Sequence, residues 1–131
     1  MSSLVQNLTV SILMDIGIDP SLIGYDCLKE AVPMVYENRE YLRKLTTMLY
    51  PEVAQRLGST PRRVERAIRH SIERAFSNTD FDVLKSYFGN VICTHSGKVT
   101  NATFIAVVVE RIQSEIVKDA EMREAEHYAN T

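Results

Sequence analysis

The sequence predicts an all-α domain with an embedded helix-turn-helix, and three observations carry that prediction. Apolar residues recur at three- and four-residue steps along nearly the whole chain, which is the pattern of amphipathic helices. The one valine run, at 107–109, sits inside a longer helical pattern, so strand signals are weak. Around Gly58, two short helical patterns meet at a tight turn with the spacing of a helix-turn-helix.

Composition bounds the rest. A chain of 131 residues fits one compact domain, and a hydrophobic share of 45% fills one core. The formal net charge of -2 and the pI of 5.9 give no sign of a nucleic-acid partner. Any such case must rest on where the charges sit. No segment reaches the roughly 18 apolar residues needed to cross a bilayer, so no membrane partner is expected. The N-terminus lacks a basic stretch before its apolar residues, and a cytoplasmic location is expected. Cys27 and Cys93 are far apart without metal-ligand spacing, and both read as buried thiols.

The elements follow in order. Leu4, Leu8, Ile12 and Ile16 give the first helix an apolar side, and Gly17 stops it. Asp19-Pro20-Ser21 is a turn signal. A second helix spans 25–37, with Leu28, Val32, Val35 and Tyr36 inward. Pro33 inside it is expected to kink or split it. A third spans 39–49, with Leu42, Leu45 and Leu49 on one side. Pro51 opens a short helix that ends at Leu57-Gly58. Thr60 reads as an N-cap with Pro61 in the first turn of the next helix, whose inward stripe is Val64, Ile68, Ile72, Ala75 and Phe76. A sixth helix spans 80–88, with Phe81, Leu84 and Phe88 inward and Gly89 as its stop. Residues 90–99 read as irregular. Thr100 or Asn101 then caps a long helix to about 126. Its first half is apolar at Phe104, Ile105, Val108, Ile112 and Ile116. The domain is expected over 1–117, with 118–131 as a charged tail, solvated or frayed.

Within the helix-turn-helix, Ala54 is small where the second helix must cross closely. Leu57 is expected to point into the core, Gly58 to make the turn, and Val64, Ala67 and Ile68 to anchor the second helix. Ser59 departs from the pattern, since this position often carries an apolar residue.

The opposite face of that second helix carries Arg62, Arg63, Arg66, Arg69, His70 and Glu73 at three- and four-residue steps. Residues 60–77 hold five arginines against two glutamates, whereas 110–127 hold three basic residues against six acidic ones. The near-neutral total hides this asymmetry. A charge run is ordinarily a solvated face laced with pairs, here Glu65 with Arg69, and Glu73 with Arg69 or Arg66. The turn spacing favours recognition instead, because it sets this face on the helix that a helix-turn-helix presents to double-stranded DNA. Arginine can donate two bonds to guanine O6 and N7. Arg62, Arg63 and Arg66, near the helix start, are the expected base readers, and Glu65 can accept from cytosine N4. Thr60 and the first amides of the helix suit a phosphate.

Tyr50-Pro51-Glu52-Val53-Ala54, followed by Arg63-Val64-Glu65-Arg66-Ala67-Ile68-Arg69-His70, resembles the C-terminal effector domain of the sporulation master regulator family, stage zero sporulation protein A. Gly24-Tyr25, Leu28, Glu30-Ala31 and Met34-Val35-Tyr36 fit as well, as do Phe88-Gly89, Lys98, Thr100-Asn101 and Phe104-Ile105-Ala106. The resemblance covers roughly residues 8–112. It implies a six-helix domain that binds a box related to TGTCGAA, often in tandem copies on which homodimers form. It also implies activation or repression through RNA polymerase. Carried onto this sequence, Arg63, Glu65 and Arg66 contact bases, and Arg69 and His70 lie along the groove or the backbone. Arg62 stands where the family usually has a small residue, which adds a phosphate contact or alters base choice. Pro33 replaces a helix-compatible residue. The family's full-length regulator carries an N-terminal receiver that these residues lack, so the chain reads as an excised effector half or as a stand-alone relative.

No phosphate loop, nucleophile elbow or zinc signature appears, so neither catalysis nor a cofactor is expected. His95 and His127 lack partners at ligand spacing, and no metal is expected at either. Asp80 and Asp82 read as helix-start residues. Tyr25, Tyr36, Tyr41, Tyr50 and Tyr87 read as core or rim packing. A second reading, motivated by the acidic tail and the missing receiver, is a protein-interaction module or antagonist that keeps the fold and forms complexes without DNA.

Overall fold

The computed structural model describes residues 3–94 and 99–130, and every described element is helical. The helices are α1 (Ser3–Ile16), α2 (Ile23–Glu37), α3 (Glu40–Arg43), α4 (Tyr50–Leu57), α5 (Pro61–Asn78), α6 (Phe81–Thr94) and α7 (Asn101–Ala129). Because α3 is a single turn of four residues, the described chain has six helices of eight residues or more. The all-α expectation and the six-helix architecture both stand.

α2 is the central strut. It packs against α1, α4, α5 and α7, and it buries Leu28, Ala31, Val32 and Val35 completely. Pro33 does not split it: the helix runs unbroken from Ile23 to Glu37, with the proline ring in the core. An interior proline costs about 3 kcal/mol by losing a hydrogen bond and crowding the preceding turn. Full burial of several aliphatic side chains, each worth about 1.5–3 kcal/mol, outweighs that cost.

Other expectations shift by one face or one turn. On α1 the inward stripe is Val5, Thr9, Ile12, Leu13 and Ile16, and Leu4 is exposed. The Thr9 hydroxyl satisfies itself inside by donating to the Val5 carbonyl at 2.7 Å. The segment read as one helix over 39–49 breaks at Lys44, whose φ of -131° and ψ of 53° leave the helical region. A π-helical turn, Leu45–Leu49, then feeds directly into α4 and turns Leu49 into the core. α6 does not stop at Gly89 but continues to Thr94, because Leu84, Phe88 and Ile92 repeat every fourth residue on its buried side. Phe81, expected inward, is 59% exposed at its start. His95 and the Cys93 side chain lie outside the described residues.

An aromatic cluster ties the far ends together. The Phe88 ring lies 5.1 Å from Phe76 of α5 and 5.5 Å from Phe104 of α7. α7 buries Phe104, Ile105, Val108, Val109 and Ile112 and then leaves the body. From Asp119 onward every described residue of this helix is exposed, and the Asp119–Arg123 pair at 3.2 Å is of the kind that supports free helix surface.

Candidate nucleic-acid interface

The turn between α4 and α5 forms as its residues require. Gly58 has φ 64° and ψ 39°, the left-handed conformation that ends a helix, and the Ser59 amide donates back to the Ala54 carbonyl at 2.8 Å. Thr60 is extended, and its hydroxyl accepts from the Arg63 amide at 3.3 Å, the N-cap geometry, with Pro61 in the first turn. Val53, Ala54, Val64 and Ile68 are buried where the two helices cross. Leu57 departs from expectation. It is 37% exposed and faces a shallow groove beside Ile23, Cys27 and Arg66 rather than the core.

Burying Val64, Ile68, Ser71, Ile72 and Ala75 on one side of α5 fixes what the other side offers. Thr60, Arg62, Arg63, Arg66, Arg69 and His70 are all exposed there, and Glu65 is half-buried at the edge. The structure thus brings the expected residues to one helix face.

Ion pairing distinguishes them. Glu65 Oε1 accepts from Arg69 Nε at 3.0 Å, one turn apart, and this carboxylate raises the Arg69 guanidinium above its ordinary value. Among the described residues, Arg62, Arg63 and Arg66 form no ion pair, and neither does Glu73. The face is therefore not laced with pairs. Its first two turns carry three arginines with their donors turned to water.

Two contacts from outside the helix pair were not legible in the spacing. Asn101, at the start of α7, donates to the Tyr50 hydroxyl at 3.1 Å and to the Glu65 carbonyl at 3.2 Å. Tyr50 is 5% exposed, and burial pushes its phenol above the ordinary value. On the opposite side, Gly24 of α2 lies so close to α5 that a Cβ there would meet Ser71 and the Ala67 carbonyl. The Gly24-Tyr25 and Thr100-Asn101 pairs were the only signals in the sequence.

Among the described residues no group of histidines, cysteines and carboxylates is placed to hold a metal, and no helix is long and apolar enough to cross a membrane. Cys27 is a buried free thiol whose pKa is pushed up to about 11 by desolvation, which removes it from nucleophilic chemistry near neutrality.

A small helical body with a glycine-turned helix pair, presenting on the second helix three arginines that form no ion pair among the described residues, defines a helix-turn-helix DNA-binding domain. Residues 9–112 match the family described as sporulation initiation factor Spo0A C terminal. The match takes in the greater part of the chain and ends at Ile112, the last fully buried residue of α7. The chain belongs to this family, whose domain is the DNA-binding domain of a sporulation regulator.

Proposed function

We propose that the chain is a sequence-specific transcription regulator that lays the N-terminal half of α5 in the major groove of a TGTCGAA-like box. The carrying observation is that Arg62, Arg63 and Arg66 are exposed on one face of α5 and, among the described residues, form no ion pair. In this reading Arg63 and Arg66 donate bidentately to guanine, and Arg62 adds a base or phosphate contact. Glu65 Oε2 accepts from cytosine N4 while Oε1 holds Arg69. The Thr60 hydroxyl, already accepting from Arg63, donates its own hydrogen to a phosphate beside the first amides of α5. Arg69 and His70 follow the backbone further along. Tandem boxes seat two copies side by side, and regulation passes through RNA polymerase.

Fluorescence anisotropy with a labelled TGTCGAA-type duplex and a scrambled duplex, at two salt concentrations, tests this. The reading expects tight, salt-dependent binding with a clear preference for the box. Equal, weak binding to both duplexes overturns it and favours a module that binds protein partners.

A further inference from the structure

We infer that Asn101 is a positioning residue for the recognition helix, a latch that reaches from α7 to both halves of the helix-turn-helix and fixes how α5 is presented. The inference rests on the reading of α5 as the DNA-recognition helix.

The geometry begins with what Asn101 is not needed for. Thr100 already caps α7, its hydroxyl accepting from the Thr103 amide at 3.2 Å. The Asn101 side chain is therefore free of the helix start it belongs to, and its amide nitrogen points across to two other elements. One bond goes to the Tyr50 hydroxyl at the first residue of α4, the other to the Glu65 carbonyl on α5. A side-chain amide has two hydrogens to donate, and these two acceptors use both.

The anchor behind it is firm. Phe104 and Ile105, one turn further along α7, and Val108, two turns along, are fully buried, so the start of α7 is anchored in the core. The Glu65 carbonyl lies between Arg63 and Arg66 on the chain. In a regular helix it also accepts from the Arg69 amide, so Asn101 uses its second lone pair. A helix held only by its apolar stripe can still roll by several degrees about its axis. A directional bond to its backbone on the flank of the DNA-facing side removes that freedom. Base readout needs donors placed to a fraction of an ångström, while attraction to phosphates tolerates such a roll. Loss of the latch therefore costs discrimination before it costs attraction.

The test uses the full chain. Wild type, Asn101→Ala, Asn101→Asp and Tyr50→Phe are titrated with box and scrambled duplexes at matched salt, and amide hydrogen exchange is followed by NMR without DNA. Asn101→Ala is expected to weaken box binding about tenfold and leave scrambled binding and its salt slope unchanged. Tyr50→Phe removes one acceptor and gives a smaller loss in the same direction. Asn101→Asp, which can accept from the Tyr50 hydroxyl but sets a carboxylate against the Glu65 carbonyl, gives the largest. In exchange, residues 65–69 of Asn101→Ala lose protection about tenfold while 104–108 keep theirs. If Asn101→Ala does not fold, Tyr50→Phe, smaller by one oxygen, carries the same comparison.

Box and scrambled affinities falling together, an unchanged preference, or protection lost evenly through the domain each overturn the latch. If wild type shows no preference for the box, the proposed function fails on that result alone. The exchange comparison then decides the latch by itself.

Discussion

A Cβ placed on Gly24 would lie 1.9 Å from Ser71 Oγ, so α2 and α5 approach each other more closely than any other residue type at position 24 allows. The same Cβ would lie 2.2 Å from the Ala67 carbonyl oxygen, an atom that cannot turn aside. The central strut thus holds α5 at backbone contact, and the arginine face inherits its position from that contact.

Gly24→Ala is expected to force the two helices apart, costing about 3 kcal/mol as overpacking. A lowering of the thermal midpoint by roughly 10 °C in a calorimetric scan would register it. Among the described residues Ser71 Oγ is buried without a hydrogen-bond partner, so Ser71→Ala alone is expected to leave the midpoint unchanged or raise it. The double variant recovers only part of the loss, since the Ala67 carbonyl stays in place. Full recovery would show that the hydroxyl alone sets the spacing.

Gly58→Ala makes the contrasting case. No atom of the described residues lies within 4 Å of a Cβ at Gly58, so space is not limiting. The residue sits at φ +64°, where a side chain costs about 1 kcal/mol through the backbone alone. A small shift in the urea midpoint, with box affinity retained under folding conditions, is the expected result. Loss of affinity without loss of stability would mean that the turn itself meets the DNA.

Tyr87 gives the fold an alkaline limit. Burial, the hydrogen bond it donates to Asp15 and the charge of that carboxylate push its phenol up to about 12, although Arg111 over the ring opposes them. The phenol is neutral while protonated, and unfolding returns it to about 10. Its contribution is therefore present in full below about pH 10 and is lost as pH rises toward 12. Denaturant midpoints of wild type and Tyr87→Phe should differ most near neutrality and converge across that window. A difference independent of pH would assign the role of Tyr87 to packing alone.

Local chemistry was legible in this sequence where it was decided within a few residues. Thr60-Pro61, Leu57-Gly58 and Thr100 announce their caps and turn, and Val64, Ile68 and Ile72 announce the buried side of α5. What failed to show was decided by tertiary packing. Pro33 carries a local penalty that the buried face of α2 overrides. Gly89 reads as a stop, yet Ile92 carries the buried stripe past it. Lys44 breaks a helix that Leu42, Leu45 and Leu49 would continue, because the chain must turn Leu49 inward ahead of α4. Leu57 looks like core by type but falls where the helix pair opens onto a groove. The bridge from Asn101 to Glu65 spans 36 residues, beyond the reach of any spacing argument.

Ion pairing on α5 separates two kinds of arginine, and mutation should separate them too. Arg66 is exposed and forms no ion pair among the described residues, whereas Arg69 spends its Nε donor on Glu65. Arg66→Ala is expected to weaken box binding by about 1–3 kcal/mol and to relax preference at one base pair. Arg69→Ala should weaken box and scrambled duplexes alike, by less, and reduce the salt slope by about one phosphate contact. Glu65→Gln separates the roles further. It releases Arg69 to the backbone, which raises scrambled binding, and it turns an acceptor for cytosine N4 into a mixed donor and acceptor, which lowers preference for the box. Anisotropy titrations of the three variants at two salt concentrations read all of these at once. If Arg66→Ala binds the box as tightly as wild type, α5 does not enter the groove by its first two turns. If Arg69→Ala alone loses sequence preference, the reading face is rotated one turn toward the end of the helix, and Glu65 acts as the clamp that orients it.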